Sequence, residues 1–221
     1  KKAPDAAELA LVATRVQLRR AAMAHQGGQL ETAAREYRVA VDGFAAIADA
    51  DPGIRLEHAE ALDYYGDLLA DSAQASLLDE AAAAARHAEA MSLREEVLVT
   101  DPANDHARFA LAGSLQRLGD AALAERDLAK AETRYASARR AAEQALAAAP
   151  SNAVRRRELA GIDVRMVQVL EQQGRRAEAI VVATRAVQLT ESLLAVDPSN
   201  DQLRQASGAV LGTLAKLLLQ E

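Results

Sequence analysis

Four prolines constrain this chain more than any other feature. Pro52, Pro102, Pro150 and Pro198 stand 50, 48 and 48 residues apart (102 − 52, 150 − 102, 198 − 150). Proline lacks a backbone donor and its ring clashes with the preceding helical turn, so a helix that reaches one ends there. The stretches between them are rich in alanine, the strongest helix former. Counting back 19, 15 and 12 residues from each proline gives Ala33/Tyr37/Ala40, Ala83/His87/Ala90, Ala131/Tyr135/Ala138 and Ala179/Ala183/Ala186. Residues at i, i+4 and i+7 share one helix face. Small residues there let a neighbouring helix come close, and a ring between them fills the gap. Twenty-four residues before Pro52, Pro150 and Pro198 stand Gly28, Arg126 and Gly174, with Ala73 at the corresponding turn of the second unit, whose connection is longer. Glycine suits a helix end that needs positive φ. The pattern predicts a repeat array of helix pairs, with units at about 1–52, 53–102, 103–150 and 151–198 and a last helix over 199–221.

Composition agrees with this. Aromatic residues make up 3% of the 221-residue chain and strand formers are sparse, so the fold is all-α. A net charge of −6 disfavours a nucleic-acid partner, which calls for a basic face. The absence of cysteine excludes disulfides and thiol chemistry and is compatible with either the cytoplasm or an oxidising periplasm. No apolar run is long enough for a membrane span, since Lys216 interrupts the C-terminal one. With Lys1-Lys2 at its start and no initiator Met or signal peptide, the sequence is expected to be a piece of a longer protein.

Leu115, Leu118, Gly119 and Ala122, followed by Ala131, Tyr135 and Pro150, resemble the tetratricopeptide repeat (TPR) pattern W-x2-L-G-x2-Y…A-x3-F…P. Leu62, Tyr65, Gly66, Leu69, Ala83 and His87 repeat it one unit earlier. The departures are a complete lack of Trp, Asp163 where an aromatic belongs, Gln17 and Arg20 at apolar positions, and a 48-residue period in place of 34. The surplus of 14 (48 − 34) is close to four turns at ~3.6 residues each, so two extra turns per helix keep every face in phase. The L-G-D … DP-x-N rhythm at this length resembles long repeats attached to bacterial serine/threonine kinases. The resemblance implies a TPR-like right-handed α-solenoid of about nine helices in antiparallel pairs. It also implies that the first helix of each pair lines a concave partner-binding face, which maps onto Asp63, Asp67, Gln116, Asp120, Val164, Gln168 and Glu171. The family's Lys/Asn carboxylate clamp is absent from these positions. Four acidic residues among the seven point to a basic or polar peptide, steered by charge.

Helix by helix, the first is expected over 5–26 with Leu9, Val12, Val16 and Met23 on its apolar side, and the second over 30–50 with Tyr37, Val41 and Phe44 inward. Asp71–Ser76 is expected to be the most mobile loop. Asp101 reads as an N-cap before Pro102, and Ser199…Gln202 has capping-box spacing. The last helix carries Leu203, Val210, Leu211, Leu214, Leu217 and Leu218 and serves as a cap or as a docking face, with homo-oligomerisation through Leu211, Leu214 and Leu218 as one outcome.

No phosphate loop, dinucleotide fingerprint, nucleophile elbow or kinase signature occurs. Ser114 follows Ala112-Gly113 within a helical pattern and is no nucleophile. His25, His58, His87 and His106 show no i, i+4 pair, so no metal or other cofactor is expected; His87 reads as a packing ring. Gly208 and Gly212 suggest a close helix crossing. Arginines recur at Arg55, Arg108, Arg156 and Arg204 and at Arg19, Arg117 and Arg165, a ladder suited to bridging acids in neighbouring helix pairs or to coating a groove that holds an anionic partner. Three functions follow: a non-catalytic protein-interaction scaffold, the regulatory or sensory part of a larger bacterial protein; a self-association module; or a small-ligand or peptide receptor.

Overall fold

The computed structural model describes residues 6–47, 51–70 and 78–219. Among them nine α-helices occur: α1 (Ala6–Gln26), α2 (Leu30–Ala45), α3 (Pro52–Leu69), α4 (Glu80–Thr100), α5 (Asp105–Ala124), α6 (Leu128–Ala148), α7 (Ala153–Gln172), α8 (Arg176–Leu194) and α9 (Asp201–Leu219). They gather into two compact units, Lys1–Ala107 and Arg108–Glu221. The expected loop Asp71–Ser76 lies outside the described residues, and α2 stops at Ala45, short of the expected residue 50.

Helix ends follow local chemistry. Gly28 and Gly174 take φ of 71° and 73°, and Arg126 takes 61° at the equivalent turn. Asp51 accepts the amides of Gly53 and Ile54, with Pro52 in the first turn. The later Pro-containing starts differ. Asn104 caps Ala107 at 2.9 Å, and α5 begins three residues beyond Pro102. Asn152 caps Val154 and Arg155, and Asn200 caps Leu203 at 3.1 Å. The asparagine two residues past each of these prolines supplies the cap, so Asp101 turns to Ala103 and Asn104, while Ser199 donates to Asp197. The arginine series explains itself here. Arg156 donates to the Pro150 carbonyl at 2.6 Å and Arg204 to that of Pro198 at 2.5 Å, tying each helix start to the turn before it. Arg55 instead approaches Glu96 at 3.9 Å.

In the first unit α1 packs on α2, α2 on α3 and α3 on α4. Ala33, Tyr37, Ala40, Ala83, His87 and Ala90 are all buried, as the period predicts. The face of α1 is not the expected one. Leu9, Val12, Val16 and Met23 are more than half exposed, whereas Thr14, Ala21 and Ala24 are buried and Leu11 and Leu18 pack behind them. Close approach decides this. A Cβ on Gly43 of α2 would lie 2.6 Å from Thr14 Oγ1, so α2 sits where α1 is smallest, and larger side chains would hold it away. Thr14 satisfies its hydroxyl by donating to the Ala10 carbonyl at 2.9 Å. Gln17 and Arg20 both bond Glu36.

His58 on α3 is 5% exposed, and neither ring nitrogen has a hydrogen-bond partner among the described residues. Burial depresses its pKa below 6.5, against the opposing charge of Glu89 on α4. The folded chain therefore holds His58 neutral while the unfolded chain protonates it near pH 6.5, so stability present above that pH is lost on acidification. We expect a loss of at most about 1.4 kcal/mol per pH unit from this residue below pH 6.5. Urea midpoints at pH 7.5 and 5.5 should differ less for His58→Leu than for wild type; equal differences would refute the assignment.

In the second unit α6 packs on α7, α7 on α8 and α8 on α9. Ala131, Tyr135, Ala138, Ala179, Ala183 and Ala186 are buried, again in phase with the prolines. Tyr135 is seated against Gly119 of α5, where a Cβ would stand 2.6 Å from the ring. Asp163, at an aromatic position of the TPR pattern, is fully buried and receives Arg185 Nε at 2.6 Å. On α9, Val210 and Leu217 are buried and Leu214 packs against Ala186, Val187 and Val210. Leu214 is thus turned inward and does not join Leu211 and Leu218 on the exposed side. Gly208 and Gly212 face open space and mark no helix crossing among the described residues.

Candidate functional site

The expected concave-face residues divide between the two units. In the first, Asp63 is buried. Its Oδ2 accepts Arg94 Nη1 at 2.5 Å and its Oδ1 lies 3.0 Å from His87 Nδ1. No partner can reach it, because α4 supplies two side chains that close over it. Asp67 lies 3.7 Å from the far nitrogen of the same histidine. His87 is a packing ring, as expected: it fills the space a Cβ on Gly66 would need, 2.5 Å away.

In the second unit Gln116, Val164, Gln168 and Glu171 come together in one groove of about 640 Å³. Helices α7 and α9 form its walls and α8 lies beneath, contributing Ala183, Thr190 and Leu193. The walls are low because their facing residues are small: Ala160 and Gly161 on α7, Ala206 and Ala209 on α9. Beyond Glu171, Lys216 of α9 lies 3.3 Å from that carboxylate on α7. Arg176 of α8 donates to the Leu217 carbonyl at 2.6 Å, satisfying the last turn of α9.

Charges around the groove are mostly paired. Asp120, expected to be an open acid, accepts the Tyr135 hydroxyl at 2.6 Å and lies 3.2 Å from Arg165. That hydrogen bond adds to burial, the larger effect, in raising the Tyr135 phenol above its ordinary range. Burial likewise raises the Glu158 carboxyl, against the pull of Arg117 and Arg157. Arg157, which lines the groove, is exposed. The Oε1 of Gln116 is buried and has no hydrogen-bond partner among the described residues.

Arg157, Gly161, Ala206 and Ala209 were not among the sequence candidates. Gly161 was the available signal. A glycine within a helix is destabilising unless something needs the space, and a Cβ there meets nothing within 4 Å. Gly161→Ala should therefore stabilise the chain by about 0.5–1 kcal/mol. A higher denaturant midpoint would confirm this, and a lower one would show a neighbour where none is seen.

Among the described residues no His/Asp/Glu group is placed to hold a metal ion, and no helix is long and apolar enough to cross a membrane. No protein-family model matches the sequence, and no curated protein matches it. Similar solved structures were found. The yeast histone chaperone Hif1, described as a scaffold protein recruiting protein complexes to core histones, is 11% identical over 98% of this chain and 99% of its own, with a TM-score of 0.59. The MamA protein matches at 16% identity over 93% of this chain and 86% of its own, with a TM-score of 0.40. The C-terminal part of a TPR repeat-containing protein from Cytophaga hutchinsonii matches at 14% identity over 87% of each chain, with a TM-score of 0.25. With its paired helices, its 48-residue period and its rings seated on glycine, the chain has an all-α, TPR-like helical-repeat fold.

Proposed function

We propose that this chain is a non-catalytic protein-interaction scaffold that holds a segment of a partner protein in the groove between α7 and α9. The observation that carries this reading is the groove itself: about 640 Å³ of largely apolar surface in which four of the seven expected contact residues converge. A basic peptide steered by acids is disfavoured, since Asp63, Asp120 and Glu171 are already engaged with Arg94, Arg165 and Lys216. An apolar segment fits better, with polar contacts at its ends. The four units and α9 would act as one array. The 48-residue period and the L-G-D … DP-x-N rhythm support a place for it as the regulatory or sensory part of a larger bacterial protein such as a serine/threonine kinase.

A photo-crosslinking residue at Val164 or Leu203, inside the groove, should capture a partner polypeptide from a native lysate. The same residue at Val181, exposed on α8, should not. Capture from Val181 alone would remove the groove from consideration. Exposed Leu211 and Leu218 support a second reading, self-association, which predicts that crosslinks from Leu211 join two copies of this chain.

A further inference from the structure

We propose that two copies of this chain pair through the outer face of α1, antiparallel and about a two-fold axis, with Val12 of each copy against Val16 of the other and Glu8 of each beside Arg19 of the other. The groove plays no part in this contact, so the two readings stand or fall separately.

The face is the one expected to be buried. Leu9, Val12, Val16 and Met23 are all more than half exposed. At ~100° per residue they fall within about 60° of one another, opposite Thr14, which meets Gly43 of α2. Among the described residues Val39, Val99 and Val181 stand alone as exposed apolar side chains on α2, α4 and α8 and need no explanation. Four in one row do. Leu9, Val16 and Met23 are spaced by seven, and Val12 lies three after the first. That is the a and d spacing of a seam that receives another helix.

Charge selects the second helix and its direction. Arg19, also exposed, occupies the d position that follows Val12. In a parallel pair of α1 helices d faces d, and the two Arg19 side chains would meet, a like-charge contact that interfaces avoid. In an antiparallel pair a faces d, and two registers are open. With Val16 against Arg19, the two arginines stand within about 5 Å of each other along the axis. Sliding by one heptad sets Val12 against Val16 and lays Leu9 along the aliphatic stem of Arg19. Glu8, exposed in the first turn, then comes within one residue of the level of Arg19. Glu8 and Arg19 stand only about 20° apart around their helix, on the same flank of the row. A two-fold axis across the pair brings like flanks together, so the ion pair forms twice. Within one chain the two are eleven residues (19 − 8), about 16 Å, apart along the axis and cannot meet. Arg15 and Arg20 are engaged with Glu57 and Glu36 of their own chain. The outer face of α1 is thus complementary to itself, as an isologous contact requires. One helix face per copy makes a small interface, so dimers should depend on concentration.

Sedimentation equilibrium on the whole chain should show monomers and dimers in a concentration-dependent balance. Val16→Glu changes an exposed site, and circular dichroism would verify its fold; it should raise the dimer dissociation constant at least tenfold. Glu8→Arg and Arg19→Glu should each raise it, and the double variant should return it towards wild type. A purely structural effect on α1 would not be reversed in this way, since the two sites cannot touch within one chain. The chain has no cysteine, so direction can be read chemically. Val12→Cys mixed with Val16→Cys should oxidise mainly to the mixed disulfide. Like-with-like disulfides would mean a parallel pair and overturn the proposal. A chain that stays monomeric throughout would also overturn it. Dimers indifferent to Val16→Glu would do the same and move the contact to another face, such as Leu211 and Leu218 of α9. Dimers lost on Val16→Glu but not restored by the charge reversal would overturn the Glu8–Arg19 register. A monomeric chain that floats with phosphatidylserine vesicles, and ceases to with Val16→Glu, would give the face to a membrane instead.

Discussion

Asp63→Ala should lower stability by about 3–5 kcal/mol. Its carboxylate takes Arg94 Nη1 at 2.5 Å and sits 3.0 Å from His87 Nδ1, and all three side chains are at most 7% exposed. Removing the anion leaves a guanidinium in a low-dielectric interior without its carboxylate, and hydration cannot compensate for the loss. The same physics predicts recovery. Asp63→Leu with Arg94→Met removes both charges, and apolar replacement of a buried pair is often neutral. Hydrogen exchange at α3 and α4 amides reads the effect locally. Protection lost in the single variant and regained in the double one is the expected result. Equal losses in both would mean that packing shape, not charge, matters at this site.

Gly119→Ala should cost about 1–3 kcal/mol, although alanine is the better helix former. Its methyl would stand 2.6, 2.7 and 3.0 Å from three atoms of the Tyr135 ring. The ring cannot step aside, because it is fully buried and its hydroxyl is held by Asp120 at 2.6 Å. In a Tyr135→Leu background the penalty should fall to roughly 0.5 kcal/mol or less, a coupling that a double-mutant cycle measures directly. Gly161→Ala is the internal control, with the opposite sign. If both glycines respond alike to alanine, helix propensity rather than the ring governs them.

Much of the fold was legible because proline spacing and small-residue triplets report backbone geometry directly. The helix pairs begin and end near where Pro52, Pro102, Pro150 and Pro198 put them, and the residues 19 and 12 positions before each proline are buried. What escaped the sequence depended on comparisons between distant residues. The face of α1 was misread because periodicity finds the most apolar stripe, Leu9/Val12/Val16, while packing chose the smallest one, Thr14/Ala21/Ala24. Helix starts moved because the asparagine two residues past the proline supplies the cap: Asn104 in place of Asp101 and Asn200 in place of Ser199. Asp63 was expected on an open binding face because the partners that bury it stand 24 and 31 residues further on. The groove was half legible. Gln116, Val164, Gln168 and Glu171 follow from the repeat, but the space among them arises because α7 and α9 face each other over α8, a relation no local pattern encodes.

The ring seated on a glycine also limits the order in which such a chain can change over generations. One repeat after Gly119 and Tyr135 stand Val167 and Ala183, both buried: the bulk has moved from one helix of the pair to the other. A lineage passing between these arrangements meets a barrier from either side: valine first would strike the ring. Losing the ring first leaves a cavity, which costs about 3–5 kcal/mol for a large aromatic until the valine arrives. Neither substitution is free without the other, so drift at such a site needs an ancestor with stability to spare.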